Sequence, residues 1–229
     1  MRPPALVLLA HGTGDAAGRA TLGRLLVRLR EALGGVPVRL AYAGVARPDL
    51  AAVLARLPGP VVVVPAFLAA GFHVRVDVPG QLTAIGRGDV DLAAPLGPDS
   101  VLVDAALGRL REAGGDPWGD EPDTVVLAAA GSTDAVAQAE LTTASSLLAG
   151  RLGSGVAIGY VGGGDPRVAD VVARSRVPGR RVVLATWLLA PGAFHRRLAG
   201  AAADLVAEPL GEHEGVVATV LERYRTAPR

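Results

Sequence analysis

The sequence predicts an α/β protein of two similar lobes, each a four-stranded parallel sheet flanked by helices. Three observations lead there. Short, wholly apolar runs alternate with segments whose leucines recur at helical spacing, as a parallel sheet covered on both faces requires. The alternation then starts again: residues 125–134 (VVLAAAGSTD) lie over residues 6–15 (LVLLAHGTGD) at an offset of 119, that is 125 minus 6. Between the copies, residues 114–122 (GGDPWGDEP) read as a linker by composition. An internal duplication therefore divides the chain into residues 1–115 and 123–229.

In the first copy, Leu6-Val7-Leu8-Leu9-Ala10 is a strand buried on both faces, and its carboxyl end delivers His11-Gly12-Thr13-Gly14-Asp15. Leu22, Leu25, Leu26, Leu29 and Leu33 mark the apolar face of a helix that Gly34-Gly35 stops. Residues 36–42 form a second strand, and Leu50, Val53, Leu54 and Leu57 a second helix, broken by Pro58-Gly59-Pro60. The four valines at 61–64 are too few for a helix and too apolar for an edge strand, so they lie in the sheet interior until Pro65 ends the run. Residues 66–73 (AFLAAGFH) follow as an apolar loop ending in His73, and Pro79 stands a few residues into the next helix. Residues 89–94 make a fourth strand, and a helix carrying Leu102, Ala106, Leu107 and Leu110 begins near Asp99. In the second copy, residues 182–189 repeat the valine strand with Trp187-Leu188 over Phe67-Leu68. Phe194-His195 falls over Phe72-His73 after a small insertion, and residues 208–211 (EPLG) echo residues 94–97 (APLG).

Composition narrows the function. The net charge is +1, which gives no general attraction to nucleic acid or membranes, and every basic side chain is arginine. The chain has no cysteine, which excludes disulfides, thiolate zinc sites and Cys-ligated iron–sulfur clusters. The first apolar run meets His11 at once, so no signal peptide is visible, and no run is long enough for a membrane span. A soluble cytoplasmic protein, monomer or homodimer, is expected.

In open α/β sheets ligands bind beyond the carboxyl ends of the strands. His11 and His73 both follow such ends, and parallel strands bring them out on the same edge. One histidine at a strand end is usually structural; two at matching ends invite chemistry. Neutral imidazole binds divalent transition metals and accepts protons near neutral pH. Two ligands make a weak site, suited to a metal that is passed on. The second copy has Ala130 where the first has His11, so a cooperating pair survives only in the first. Other chemistries lack support: there is neither a G-x-x-x-x-G-K-[ST] nor a G-x-G-x-x-G motif, the second strand ends on Tyr42 rather than an acid, and Ser132 has no nucleophile elbow. His195-Arg196-Arg197 could meet an anion but reads first as a solvated helix start, and His213 reads as a surface residue.

The HG turn after the first strand, with P-x-F-L-x-x-G-x-H-x-x-x-D-x-P at 65–79, resembles the class II tetrapyrrole chelatases, and most nearly the sirohydrochlorin chelatases of the sirohaem and cobalamin pathways. The resemblance spans the whole chain, because longer members also carry two fused halves. It implies ATP-independent insertion of Fe²⁺ or Co²⁺, or Ni²⁺, into sirohydrochlorin or a related polycarboxylate macrocycle, with no permanently bound cofactor. By motif position, His11 and His73 handle the metal and the pyrrole protons. The apolar loop, with Phe67, Leu68, Gly71 and Phe72, would lie against the macrocycle, and Arg75, Arg47 and Arg19 are candidates for its carboxylates. The chain departs from the family pattern at two points: it lacks the arginine of H-G-S-R-D, and residues 42–48 (YAGVARP) lack the acid the family often carries there. Those departures leave an alternative, a non-catalytic module that binds a tetrapyrrole or a metal.

Overall fold

A computed structural model describes residues 3–44, 46–119 and 122–228; Val45, and residues 120–121 of the expected linker, lie outside the described residues. The first sheet is built from β1 (Ala5–Ala10), β2 (Val38–Tyr42), β3 (Val61–Pro65) and β4 (Val90–Leu92), with α1 (Ala16–Leu33), α2 (Leu50–Leu54), α3 (Val78–Ile85) and α4 (Ser100–Glu112) between and after them. The second repeats the plan with β5 (Thr124–Ala129), α5 (Ala135–Leu152), β6 (Ala157–Tyr160), α6 (Val168–Arg174), β7 (Val182–Trp187), α7 (Ala193–Leu198), β8 (Leu205–Val206) and α8 (Glu214–Thr226). Strand orders are β2-β1-β3-β4 and β6-β5-β7-β8, and every pairing between these strands is parallel.

The central strands β1 and β3 are buried along their whole length, as continuous apolar runs require. Each fully buried valine contributes about 1.5–3 kcal/mol relative to exposure. The helix that follows each first strand is set by an aspartate cap: Asp15 accepts from the amides of Ala17 and Gly18, and Asp134 from those of Val136 and Ala137. Asp99 caps α4 in the same way. β4 is shorter than the sequence suggests, three residues against 89–94, although the chain beyond it goes on bonding to the β3 segment, with the amide of Ala93 donating to the carbonyl of Val63 and that of Leu96 to Phe67.

The last helix of each lobe packs on the other lobe's sheet: α4 lies against β7 and α8 against β3, and the two helices pack on each other. One core cluster accordingly runs through both lobes, from Leu6, Leu8 and Val62 by way of Leu102, Leu110 and Val220 to Val125 and Leu127. The segment expected to be a linker is tied down. Asp123, which is buried, accepts from the amide of Asp116 at 2.7 Å and pairs with Arg181 at 2.8 Å, while the Arg111 guanidinium lies 4.1 Å over the Trp118 ring.

The strand ladders correct one part of the sequence alignment. Val61 pairs with Ala5 and Val182 with Thr124, so the third strands match at an offset of 121, 182 minus 61. The register continues beyond the strands, for the carbonyl of Phe67 accepts from Leu96 and that of Leu188 from Leu210. No insertion intervenes. Trp187 therefore corresponds to Ala66, Leu188 to Phe67, Phe194 to His73, and His195 to Val74. The expected match of His195 to His73 fails by one residue, which on a strand or helix is enough to turn a side chain to another face. Like Val74, which is buried, His195 turns inward: its Nε2 lies 3.3 Å from the carbonyl of Ala207.

Candidate functional site

His11 leaves the carboxyl end of β1 and is held from behind by the chain after β2. The amide of Ala43 donates to the carbonyl of Ala10 at 2.8 Å, and that of Gly44 to the carbonyl of His11 at 3.1 Å. A side chain at 44 would not fit, since a Cβ there would stand 2.9 Å from the His11 carbonyl oxygen and 3.3 Å from its Nδ1. Gly12 then turns the chain with φ +102°, in the left-handed region that glycine adopts without strain.

His73 opens a single π-helical turn, His73–Asp77, closed by the amide of Val78 donating to the His73 carbonyl and running directly into α3. Helical structure thus begins before Pro79, as expected, and the proline sits in the first turn of α3, where a missing N–H does no harm. Isolated π-turns are frequent at functional sites. This one places the Asp77 carboxylate in hydrogen-bond contact with Nδ1 of His73. As a carboxylate, Asp77 only accepts, so Nδ1 carries the proton and the Nε2 lone pair is left free. Asp77 was visible in the sequence as part of the motif, four residues after His73, but spacing alone gave it no role.

The structure brings the two predicted histidines together. Their ring centroids are 5.1 Å apart with planes at 48°, and both side chains are open to solvent. Among the described residues no group of three or more His, Cys, Asp or Glu side chains is arranged to hold a metal ion. The pair is a two-imidazole site on an apolar shelf. The chain has three phenylalanines, and all three stand in the segments that follow β3 and β7. Phe67 stacks on His11 at 6.3 Å, Phe72 meets His73 edge-on at 6.4 Å and is 57% exposed, and Phe194 belongs to the second lobe.

The other predicted residues divide. Leu68 packs against the inter-lobe core and its carbonyl accepts from the indole N–H of Trp187 at 3.3 Å, while Gly71 lies against Ser132 and Ala137. Both sit at the lobe junction, beside the shelf. Arg75 donates to the carbonyl of Ala70 at 3.1 Å and pairs across the junction with Asp134 at 2.6 Å. Arg47 pairs with Asp49, and Arg19 donates to the carbonyl of Gly14 at 2.7 Å. Arg75–Asp134 has a counterpart at the matching positions of the other copy, Arg196 with Asp15. Sequence reading missed both ties because their partners lie 59 and 181 residues apart. The arginines hold the carboxyls of Asp134 and Asp15 below the usual aspartate range, helped by the helix amides each aspartate caps.

With this geometry in view, the comparisons with known proteins are decisive for the family. The CbiX family model matches residues 5–113 and again 124–227, nearly the whole chain in two copies. The chain belongs to the CbiX family. That agrees with the class II chelatase resemblance of the motif at 65–79. A sirohydrochlorin cobaltochelatase of Methanosarcina acetivorans is 27% identical over 123 residues, covering 47% of this chain and 95% of the relative, so that relative has the length of about one lobe. Among solved structures, SirB from Bacillus subtilis with Fe³⁺ superposes with a TM-score of 0.80 at 20% identity, covering 98% of this chain and 95% of that one. CbiX, described as the terminal enzyme for sirohaem biosynthesis in denitrifying bacteria, gives a TM-score of 0.72 at 21% identity over 98% of this chain and 100% of its own. These two share the fold of the whole two-lobed chain. No helix among the described residues is long and apolar enough to cross a membrane.

Proposed function

We propose that this CbiX-family chain inserts a divalent metal, Fe²⁺ or Co²⁺ with Ni²⁺ as a further candidate, into sirohydrochlorin or a related polycarboxylate tetrapyrrole without ATP. The observation that carries the reading is the pair His11 and His73, with rings 5.1 Å apart, on a shelf of exposed phenylalanine. An apolar ring system lies on Phe67 and Phe72, with its central nitrogens above the imidazoles. Phe72, more than half exposed with no core to enter, gains burial from such a ligand. The metal is substrate. The free Nε2 of His73, with Asp77 fixing the tautomer, and the imidazole of His11 hold it loosely, so that it passes on to the macrocycle.

Insertion exchanges one M²⁺ for the two pyrrole N–H protons, and both leave the ring as the metal–nitrogen bonds form. The imidazoles that release the metal are then unligated bases, placed to accept those protons. A weak two-ligand site suits this exchange, since a third or fourth ligand would retain the ion. Arg75 and Arg47 are the first lobe's groups for the peripheral carboxylates; each already holds an aspartate, so a substrate carboxylate would share or replace that partner. SirB structures with Fe³⁺ and with cobalt fit a transition-metal substrate.

The test is direct. Purified protein, sirohydrochlorin and Fe²⁺, Co²⁺ or Ni²⁺ are mixed anaerobically, and the absorption spectrum is followed against a no-protein control. The reading expects metallation faster than the control with at least one metal. Macrocycle binding with no acceleration for any of the three would make the chain a binding module instead.

A further inference from the structure

The corrected register shows what became of the second lobe's half-site. Ala130 replaces His11 and Phe194 replaces His73, and no acid follows Phe194 in α7, where Leu198 is buried as Val78 is in the first lobe, so every group assigned to metal handling is gone. Gly162, the counterpart of Gly44, keeps the backbone bond of the first lobe, its amide donating to the carbonyl of Ala130 at 2.8 Å. A Cβ at 162, however, would meet the ring of Phe194 at 3.1 Å where the first lobe has His11 Nδ1. Phe194 therefore fills the place of the imidazoles, and it remains 40% exposed.

The charges around it have changed as well. Arg197 stands where the first lobe has Val76, and its guanidinium lies 5.6 Å from the Phe194 ring centroid. Among the described residues it makes no ion pair. Arg167 donates to the carbonyl of Gly162, the residue that faces the Phe194 ring, so a second guanidinium is held on the loop that packs against it. The loop before it reads Asp165-Pro166-Arg167 where the first lobe has Arg47-Pro48-Asp49, so acid and base have exchanged places. This half-site opens on the same cleft as the histidines: Arg196, two residues after Phe194, pairs with Asp15 at the end of the His11 loop, and a Cβ at Gly192 would stand 3.7 Å from Oγ1 of Thr13.

We infer that the second lobe's half-site, Phe194 flanked by Arg167 and Arg197, serves carboxylate binding alone: it takes the acidic side chains on its side of the ring, beside those that Arg75 and Arg47 meet, while metal handling stays with the first lobe. An exposed aromatic face beside guanidinium groups matches a flat apolar molecule with carboxylates at its rim, since arginine forks bind carboxylates in pairs of hydrogen bonds and stack on rings. This rests on the chelatase reading for its substrate, and the experiment separates the two.

Metal-free sirohydrochlorin is titrated into wild type, Arg167→Gln, Arg197→Val (the first lobe's residue), the double variant and an exposed charge control, Arg56→Gln, at several salt concentrations. Insertion rate at saturating macrocycle is measured in parallel. The expected result is a Kd raised about tenfold for each lost arginine and a shallower dependence on salt, with the saturated rate within about twofold of wild type and the control unchanged. A double variant that binds and inserts as wild type does overturns this inference and leaves the chelatase reading intact. A double variant that loses saturated rate but not affinity also overturns it, for the arginines would then act on chemistry. If wild type itself does not bind the macrocycle, both fall.

Discussion

Replacing Gly44 by alanine tests the geometry of the metal pair without touching either histidine. The new Cβ would lie 2.9 Å from the carbonyl oxygen of His11 and 3.3 Å from its Nδ1. Ordinary contact begins near 3.4 Å, so the overlap is about half an ångström, and the nearer atom is backbone that cannot rotate away. The loop carrying His11 must move by roughly that amount. A misplacement of about 1 Å in a catalytic group can cost on the order of 10²-fold, so half of that predicts roughly a tenfold fall in insertion rate. The assay is initial rate at saturating macrocycle, with Kd measured separately and folding checked by circular dichroism. The macrocycle's Kd should hardly change. Gly162→Ala is the companion, because its Cβ presses on Phe194 and the carbonyl of Ala130; it should weaken macrocycle binding and spare the saturated rate. A Gly44→Ala protein that inserts metal at the wild-type rate would show that the placement of His11 is not what sets the chemistry.

Two further outcomes are expected. Asp77→Leu, which keeps the bulk and removes the acceptor, should lower the saturated rate by about 10–100-fold with macrocycle affinity kept, and Asp77→Asn should recover part of it; equal rates for Leu and Asn would reduce Asp77 to helix packing. For the ties across the lobe junction the sign follows from the carboxyls: Asp134 and Asp15 have folded pKa values below the unfolded value of about 3.9, so their contribution is full above that pH and is lost as pH falls through the lowered values. The difference in Tm between wild type and Asp134→Asn, which can still cap α5, should therefore be largest near neutrality and shrink below about pH 4. A difference that does not change with pH would mean that the ion pair with Arg75 contributes nothing.

What the sequence made legible were features written in local pattern. Strands buried on both faces show as unbroken apolar runs, so β1, β3, β5 and β7 could be placed within a residue or two. Asp99 before a run of leucines marks the start of α4 because capping is local chemistry. The pairing of His11 with His73 followed from topology: parallel neighbouring strands must release both residues at one edge. Features that depend on distant partners were hidden. The exchange of α4 and α8 between lobes leaves no mark on either helix, since an apolar face looks the same whichever sheet it covers. The ties Arg75–Asp134 and Arg196–Asp15 join segments with no local relation. The misplacement of His195 had another cause: matching like residues admitted an insertion, whereas the ladder up to Trp187 and the matching ties of Arg75 and Arg196 hold one offset through the loop. Its correction removes histidine from the second half-site altogether and makes the asymmetry between the lobes complete.

Metal insertion by single histidine variants tests the central claim most directly. Initial rates are measured at fixed metal and saturating sirohydrochlorin for wild type, His11→Ala, His73→Ala, the double variant and His195→Ala, with macrocycle binding determined for each. The account predicts that either first-lobe substitution removes most of the insertion, that the double variant is little worse than either single one, and that His195→Ala, whose imidazole faces the carbonyl of Ala207, leaves the rate near wild type. Binding should survive in all four. If His195→Ala alone abolished insertion while His11→Ala and His73→Ala retained it, the metal would be handled in the second lobe, and the assignment of the site would be wrong.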